Sequence, residues 1–329
     1  MGVGHWDFIH FRWHDIEDIF PRVIAIDAPN YLIRRMQAFE YRSKGTSERV
    51  PSSHIHVTLS IIRSFLKSDF TPIFVFDGPP ESLKRPTNPQ LVSDAREAYE
   101  RYTERQDIYD ARLAHNLWES RPLRWYFAVL HIKDLCSSIG IPSFTAPSEA
   151  EMMAAVICRN GLSGSVLSND VDTLLFGSPN LSRAVKMSSG QIESANLGRV
   201  MYEVGIDLSL LRDLAIVTGC DFHAGIKGIG PRKGVVLLKR FGGLEALLKA
   251  KGFGVNDREK ILSARQVLDE ADSLSVGRVN TRLNAPMAPG IIEILSPIMT
   301  RATAEKHSRE FVRLWKEFGK KQSTLERWT

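Results

Sequence analysis

Val23-Ile24-Ala25-Ile26-Asp27 is an apolar run closed by an acid, and the phrase returns at Ile73-Phe74-Val75-Phe76-Asp77-Gly78. A third version, Val166-Leu167-Ser168, leads into Asn169-Asp170. Short apolar runs of this kind read as buried strands. Between the first two, Ser52 to Lys67 carries Ile55, Leu59, Ile62 and Leu66 at helical spacing, as a crossover helix should. Strands alternating with helices predict an α/β fold with a mostly parallel central sheet flanked by helices. In an open parallel sheet, ligands bind outside the carboxyl ends of the strands. One acid at such an end is commonly a turn residue or an N-cap; three of them point to a site.

Working outward, Ala146-Pro147-Ser148-Glu149-Ala150-Glu151 adds a close pair of carboxylates. Pro147-Ser148 reads as a helix start, and Ser148 with Glu151 has capping-box spacing, so Glu151 is open to two readings: capping acid or ligand. Ser165-Val166-Leu167-Ser168-Asn169-Asp170-Val171-Asp172 places a second pair just past a strand. Acids converging on one sheet edge repel one another unless a cation lies between them. Divalent metal held by oxygen ligands is the usual resolution.

The 329 residues leave room for one large domain or two, and 43% hydrophobic content supplies an ordinary core. No apolar run approaches membrane-spanning length. Three unclustered cysteines, Cys136, Cys158 and Cys220, suit reduced thiols inside a cell better than a zinc or disulfide framework. The net charge of +5 is compatible with a nucleic-acid partner. Prolines at 79, 80, 86 and 89 break the α/β pattern before a charged helical stretch from Ser93 to Glu119. That stretch reads either as a solvated helix laced with i,i+4 pairs or as a lid over the site.

Leu208 to Thr218 reads as a helix, followed by Gly219-Cys220-Asp221 and then Gly225-Ile226-Lys227-Gly228-Ile229-Gly230 before a second helix to about Arg240. Helix, glycine hairpin and helix, with Lys227, Arg232, Lys233, Lys239 and Arg240 and no acid among them, fits backbone capture of a nucleic-acid phosphate through Gly228 and Gly230. The alternative is a plain tight turn.

Together these pieces resemble the structure-specific 5′ nucleases of the flap endonuclease family, archaeal members above all. The resemblance runs from Met1 to about residue 250 and rests on Ala25-Ile26-Asp27-Ala28, Val75-Phe76-Asp77-Gly78, the 146–151 segment, Asp170 to Gly177, Gly219-Cys220-Asp221 and the glycine hairpin. It implies a nuclease core over 1–250, with an arch insertion at about 79–130 and the helix-hairpin-helix at about 208–240. A helical part over 251–319 and a flexible tail over 320–329 complete the expected domain order. It implies a two-magnesium site, with manganese able to substitute, held by Asp27, Asp77, Glu149 and Glu151 on one side and Asp170, Asp172 and Asp221 on the other. Lys84 matches the family's arch lysine; equal spacing puts the arch arginine on Leu91, leaving Arg85 or Arg96 for that role. The amine of Gly2, exposed by removal of Met1, is expected near the metals, and potassium is expected at the hairpin carbonyls. The family's stacking tyrosine has Tyr31 nearby but out of register.

The implied activity is magnesium-dependent hydrolysis of DNA at 5′ flaps, nicks and branched duplexes, in replication and repair inside the cell, in the cytoplasm if the chain is archaeal. A sister 5′ exonuclease or four-way-junction resolvase is the alternative; a non-catalytic DNA scaffold would be expected to have lost carboxylates. Gln322, Leu325 and Trp328, spaced by three, resemble the family's sliding-clamp-binding tail, with Thr329 where a second aromatic stands.

Overall fold

The computed structural model describes residues 6–42, 51–78, 121–277 and 279–325. Gly2, Lys84, Arg85, Arg96 and Trp328, and the arch segment from 79 to 120, lie outside the described residues. Seven strands form one sheet: β1 (Arg12–Asp15), β2 (Val23–Asp27), β3 (Thr71–Phe76), β4 (Ser143–Thr145), β5 (Ser165–Leu167), β6 (Asn180–Lys186) and β7 (Gln191–Asn196), in the order β1-β7-β6-β5-β2-β3-β4. The stretch from β6 to β4 is parallel, while β7 and β1 add antiparallel at one edge. The first three expected strands are therefore neighbours. β2 sits between β3 and β5, where the chain reverses its direction of sheet growth, and that is where a crevice opens at the carboxyl edge.

Side chains alternate along these strands between two cores. Ile24, Ile26, Phe74 and Phe76 pack on one face with α1 (Ala28–Arg42), α2 (Ser53–Lys67) and α3 (Arg121–Ile139). Ala25, Ile73, Val75 and Val166 pack on the other with α4 (Ala150–Arg159) and the helices that follow. This period of two with both faces apolar is why the runs are continuous rather than alternating. After β5 come the short α5 (Asp172–Leu175), then α6 (Leu197–Val204), α7 (Leu208–Thr218), α8 (Pro231–Phe241) and α9 (Leu244–Ala250).

The C-terminal helices divide between the two faces. α10 (Val255–Ser273) docks on the second face through ion pairs that no sequence pattern announced. Arg212 of α7, 3% exposed, bonds Asp269 at 2.7 Å and Asp272 at 2.6 Å, and donates to the Leu175 carbonyl. Arg159 reaches the same Asp272, and Arg265 pairs with Asp213. α11 (Ala288–Leu295) and α12 (Arg301–Leu325) cover the first face, Arg63 of α2 gripping both oxygens of Glu310. α12 continues through Leu325, so 320–325 is helix where the sequence suggested a free tail; Gln322 and Leu325 lie in its last turn. Among the described residues, no helix is long and apolar enough to cross a membrane.

Candidate active site

A cavity of about 320 Å³ opens at the carboxyl edge of the sheet, lined by Asp27, Asp77, Glu149, Glu151, Asp170 and Asp221 together with Pro29, Asn30, Ile33 and Arg34. Each acid arrives there for a local reason. Asp27 ends β2 and is 3% exposed; it accepts from the Ser168 hydroxyl at 2.7 Å and the Asn30 amide at 3.3 Å. Asn30 in turn accepts from the backbone and side-chain nitrogens of Asn169, tying the ends of β2 and β5 together. Asp170 follows β5, its amide donating to Ser168 and its carboxylate accepting from the Asp172 amide.

Asp77 follows β3 and accepts from the Ala150 amide at 2.9 Å, so a carboxylate from a distant strand caps α4. Gly78 donates to the Ser148 carbonyl at 2.7 Å, and a Cβ at 78 would run into the carbonyls of Ala146 and Pro147. Glycine is required there by the close approach that brings Asp77 beside Glu149 and Glu151. The capping box expected of Ser148 and Glu151 does not form: Glu149 occupies the N-cap, without a side-chain cap bond, and the Ser148 hydroxyl points to Met152 Sδ. Glu151 is 8% exposed and lines the cavity.

Asp172 is the exception among the seven. It opens α5, is 1% exposed, and does not line the cavity, although its amide is bound to Asp170. Asp221 does line it, carried on the turn closed by the mutual backbone bonds of Cys220 and His223. Arg34, which the sequence reading passed over, also lines the cavity; the signal was there, because 30, 33 and 34 share one face of α1 with Asp27 at its foot.

Burial pushes the Asp27 carboxyl up to about 7, with Asp77 and Asp170 adding repulsion and the Ser168 and Asn30 bonds opposing it. A cavity walled by carboxylates, one of them pushed toward its neutral form by burial and by its acidic neighbours, fits a hard divalent cation. Among the described residues no three acidic, imidazole or thiol groups converge tightly enough to hold an ion alone. Tyr31, by contrast, is buried in the first core with the Arg35 guanidinium 3.4 Å from its ring centroid, so it cannot stack on a nucleotide.

The hairpin continues from Asp221. Its backbone is pinned by the Ile226 amide on the Val217 carbonyl and by buried Ile229. Gly228 has φ +81°, and at neither Gly228 nor Gly230 would a Cβ meet an atom of another described residue. Gly230 caps α8, with Pro231 at its first turn. Lys233 donates to the Gly228 carbonyl at 3.0 Å, Arg232 pairs with Asp7 while staying 88% exposed, and Lys227 is exposed.

Comparison with known proteins decides the family. The XPG N-terminal domain matches residues 1–98 and the XPG I-region matches residues 140–221. The flap endonuclease 1 of Methanobrevibacter smithii is 34% identical over 248 residues, covering 73% of this chain and 75% of that protein. This chain belongs to the flap endonuclease family. The solved flap endonuclease-1 of Methanococcus jannaschii superposes with a TM-score of 0.68 at 26% identity, covering 96% of this chain and 99% of that one. The catalytic core of Rad2 in complex with DNA substrate shares the fold, with a TM-score of 0.61 at 20% identity over 95% of this chain and all of that one.

Proposed function

We propose that this flap endonuclease relative is a structure-specific 5′ nuclease that hydrolyses DNA phosphodiester bonds where single strand meets duplex, in replication and repair. The observation that carries the reading is the acid-lined cavity joined, through the Asp221 turn, to a glycine hairpin opening onto a basic helix. Asp27, Asp77, Glu149, Glu151, Asp170 and Asp221 would hold magnesium, directly or through water, with Asp172 supporting Asp170 through its amide. When bound, the metal would supply the positive charge that lowers the pKa of an attacking water and stabilises a leaving oxygen. The chain's own contribution is placement. Asn30 and Ser168 orient Asp27, the α4 N-terminus orients Asp77, and the Cys220–His223 bridge orients Asp221. Gly228 and Gly230 amides, with Lys227, Arg232 and Lys233, hold a duplex phosphate away from the cut and so set where the strand enters.

The finer parts of the reading extend to residues outside the described segments. By the family resemblance, Lys84, with Arg85 or Arg96, would add positive charge at the scissile phosphate, and the Gly2 amine would be placed near the metals. Carbonyls of the same hairpin would hold a monovalent cation such as potassium. Gln322, Leu325 and Trp328 bind a sliding clamp, tethering the nuclease near its substrate. Incubating the pure protein with 5′-flap, nicked, single-stranded and four-way-junction DNA, with and without magnesium, tests the whole. Magnesium-dependent release of the flap is expected, faster than cutting of single strands or junctions. Preferential junction cutting would favour the resolvase, and no cutting at all would leave a scaffold.

A further inference from the structure

We infer that Arg34 of α1 is a catalytic residue of this chain, gripping the phosphodiester at the cut. The inference rests on the nuclease reading above. Arg34 is the only cation lining the acidic cavity among the described residues, and it is exposed. A lone arginine beside six carboxylates would ordinarily collapse onto one of them. Here no ion pair or hydrogen bond joins it to the acids among the described residues, and three of those acids are already engaged. Asp27 faces Ser168 and Asn30, Asp77 faces the Ala150 amide, and Asp170 faces the Asp172 amide. The guanidinium is left for an anion that enters from outside.

The neighbouring arginine shows the contrast. Arg35 stacks on Tyr31 and donates to its carbonyl, so it is part of the helix packing. Arg34 stands on the same helix, which is anchored in the first core by Tyr31, Leu32 and Met36, so its Cα is fixed relative to Asp27. An acid-lined cavity repels a phosphodiester, and a planar fork that can bond two non-bridging oxygens at once offsets that repulsion where charge builds up in the transition state. A lysine would supply the charge without the paired geometry.

The test compares the wild-type chain with Arg34→Ala and Arg34→Lys on a labelled 5′ flap with magnesium. Single-turnover rates at saturating enzyme are measured beside dissociation constants in chelator. The expected result is a rate loss in Arg34→Ala of the order of a hundredfold, with much less change in binding and an unchanged melting temperature. Added guanidinium ion at non-denaturing concentration should recover part of the lost rate in Arg34→Ala and none in wild type. Arg34→Lys should fall between the two. Full-speed cleavage by Arg34→Ala overturns the assignment, as does a binding loss equal to the rate loss, or failure of guanidinium to restore any rate. In each of those cases wild-type cleavage still stands, so the nuclease reading survives; a wild-type chain inert on flaps overturns both.

Discussion

Asp27 shows how one side chain carries the cost of the site. Its folded pKa is pushed up to about 7, above the usual carboxylate range, so the native state keeps a proton that the unfolded chain has released. Stability from this group therefore falls as pH rises through roughly 4 to 7, and the full penalty persists above that. The buried pair His54 and His131, with ring nitrogens 2.9 Å apart, works the other way. Burial holds His54 well below the usual imidazole value and His131 down to about 4, so their stabilisation is lost as pH falls below about 6.5. In chelator, Asp27→Asn should be more stable than wild type at pH 8, with the difference shrinking toward pH 4, as read by urea unfolding. Magnesium should raise the melting temperature of wild type more than that of the variant, because it relieves a repulsion the variant lacks. A pH-independent difference would mean that Asp27 is not strained. The strand-end position of this acid was legible in the sequence; its strain was not, because it depends on Ser168, Asp77 and Asp170 arriving from other strands.

At the scale of elements, apolar runs revealed β2, β3 and β5, and the glycines revealed the hairpin between α7 and α8. What the sequence hid was anything decided by partners. β1 is Arg-Trp-His-Asp, an edge strand whose polarity reads as loop until β7 pairs with it. The α4 cap looked local and proved to be Asp77 from β3. Asp172 looked like a twin of Asp170, but the turn into α5 buries it. The hairpin itself yields a clean test, since a Cβ at Gly230 meets no atom of another described residue and φ there is ordinary at −91°. Gly230→Val should fold normally yet weaken binding to every duplex-containing substrate, independent of sequence. Lys233→Glu should flatten the slope of log affinity against log salt by roughly one to two phosphate contacts. Unaltered affinity in the first, or an unaltered slope in the second, would place the DNA elsewhere.

Across the whole molecule, the C-terminal helices clamp the two faces of the sheet, and charge does much of the joining. Arg212 links α7 to α10 and to the end of α5, so Arg212→Met should lower unfolding free energy by about 2–3 kcal/mol while leaving the cavity acids in place. Chemical denaturation at neutral pH measures this, and a loss within error would make the cluster a surface decoration. This network was invisible in sequence because its members are spread from Arg159 to Asp272 with no shared spacing. The fold holds six acids at one sheet edge beside the glycine hairpin, and one measurement addresses the role of that edge directly. Single-turnover cleavage of a 5′ flap by Asp170→Ala is compared with wild type across a magnesium titration, with binding of the same DNA measured in parallel. The expected result is a loss of cleavage of at least a hundredfold with flap affinity largely retained. Cleavage at near wild-type rate, or equal loss of affinity and cleavage, would contradict a metal-dependent site at this edge.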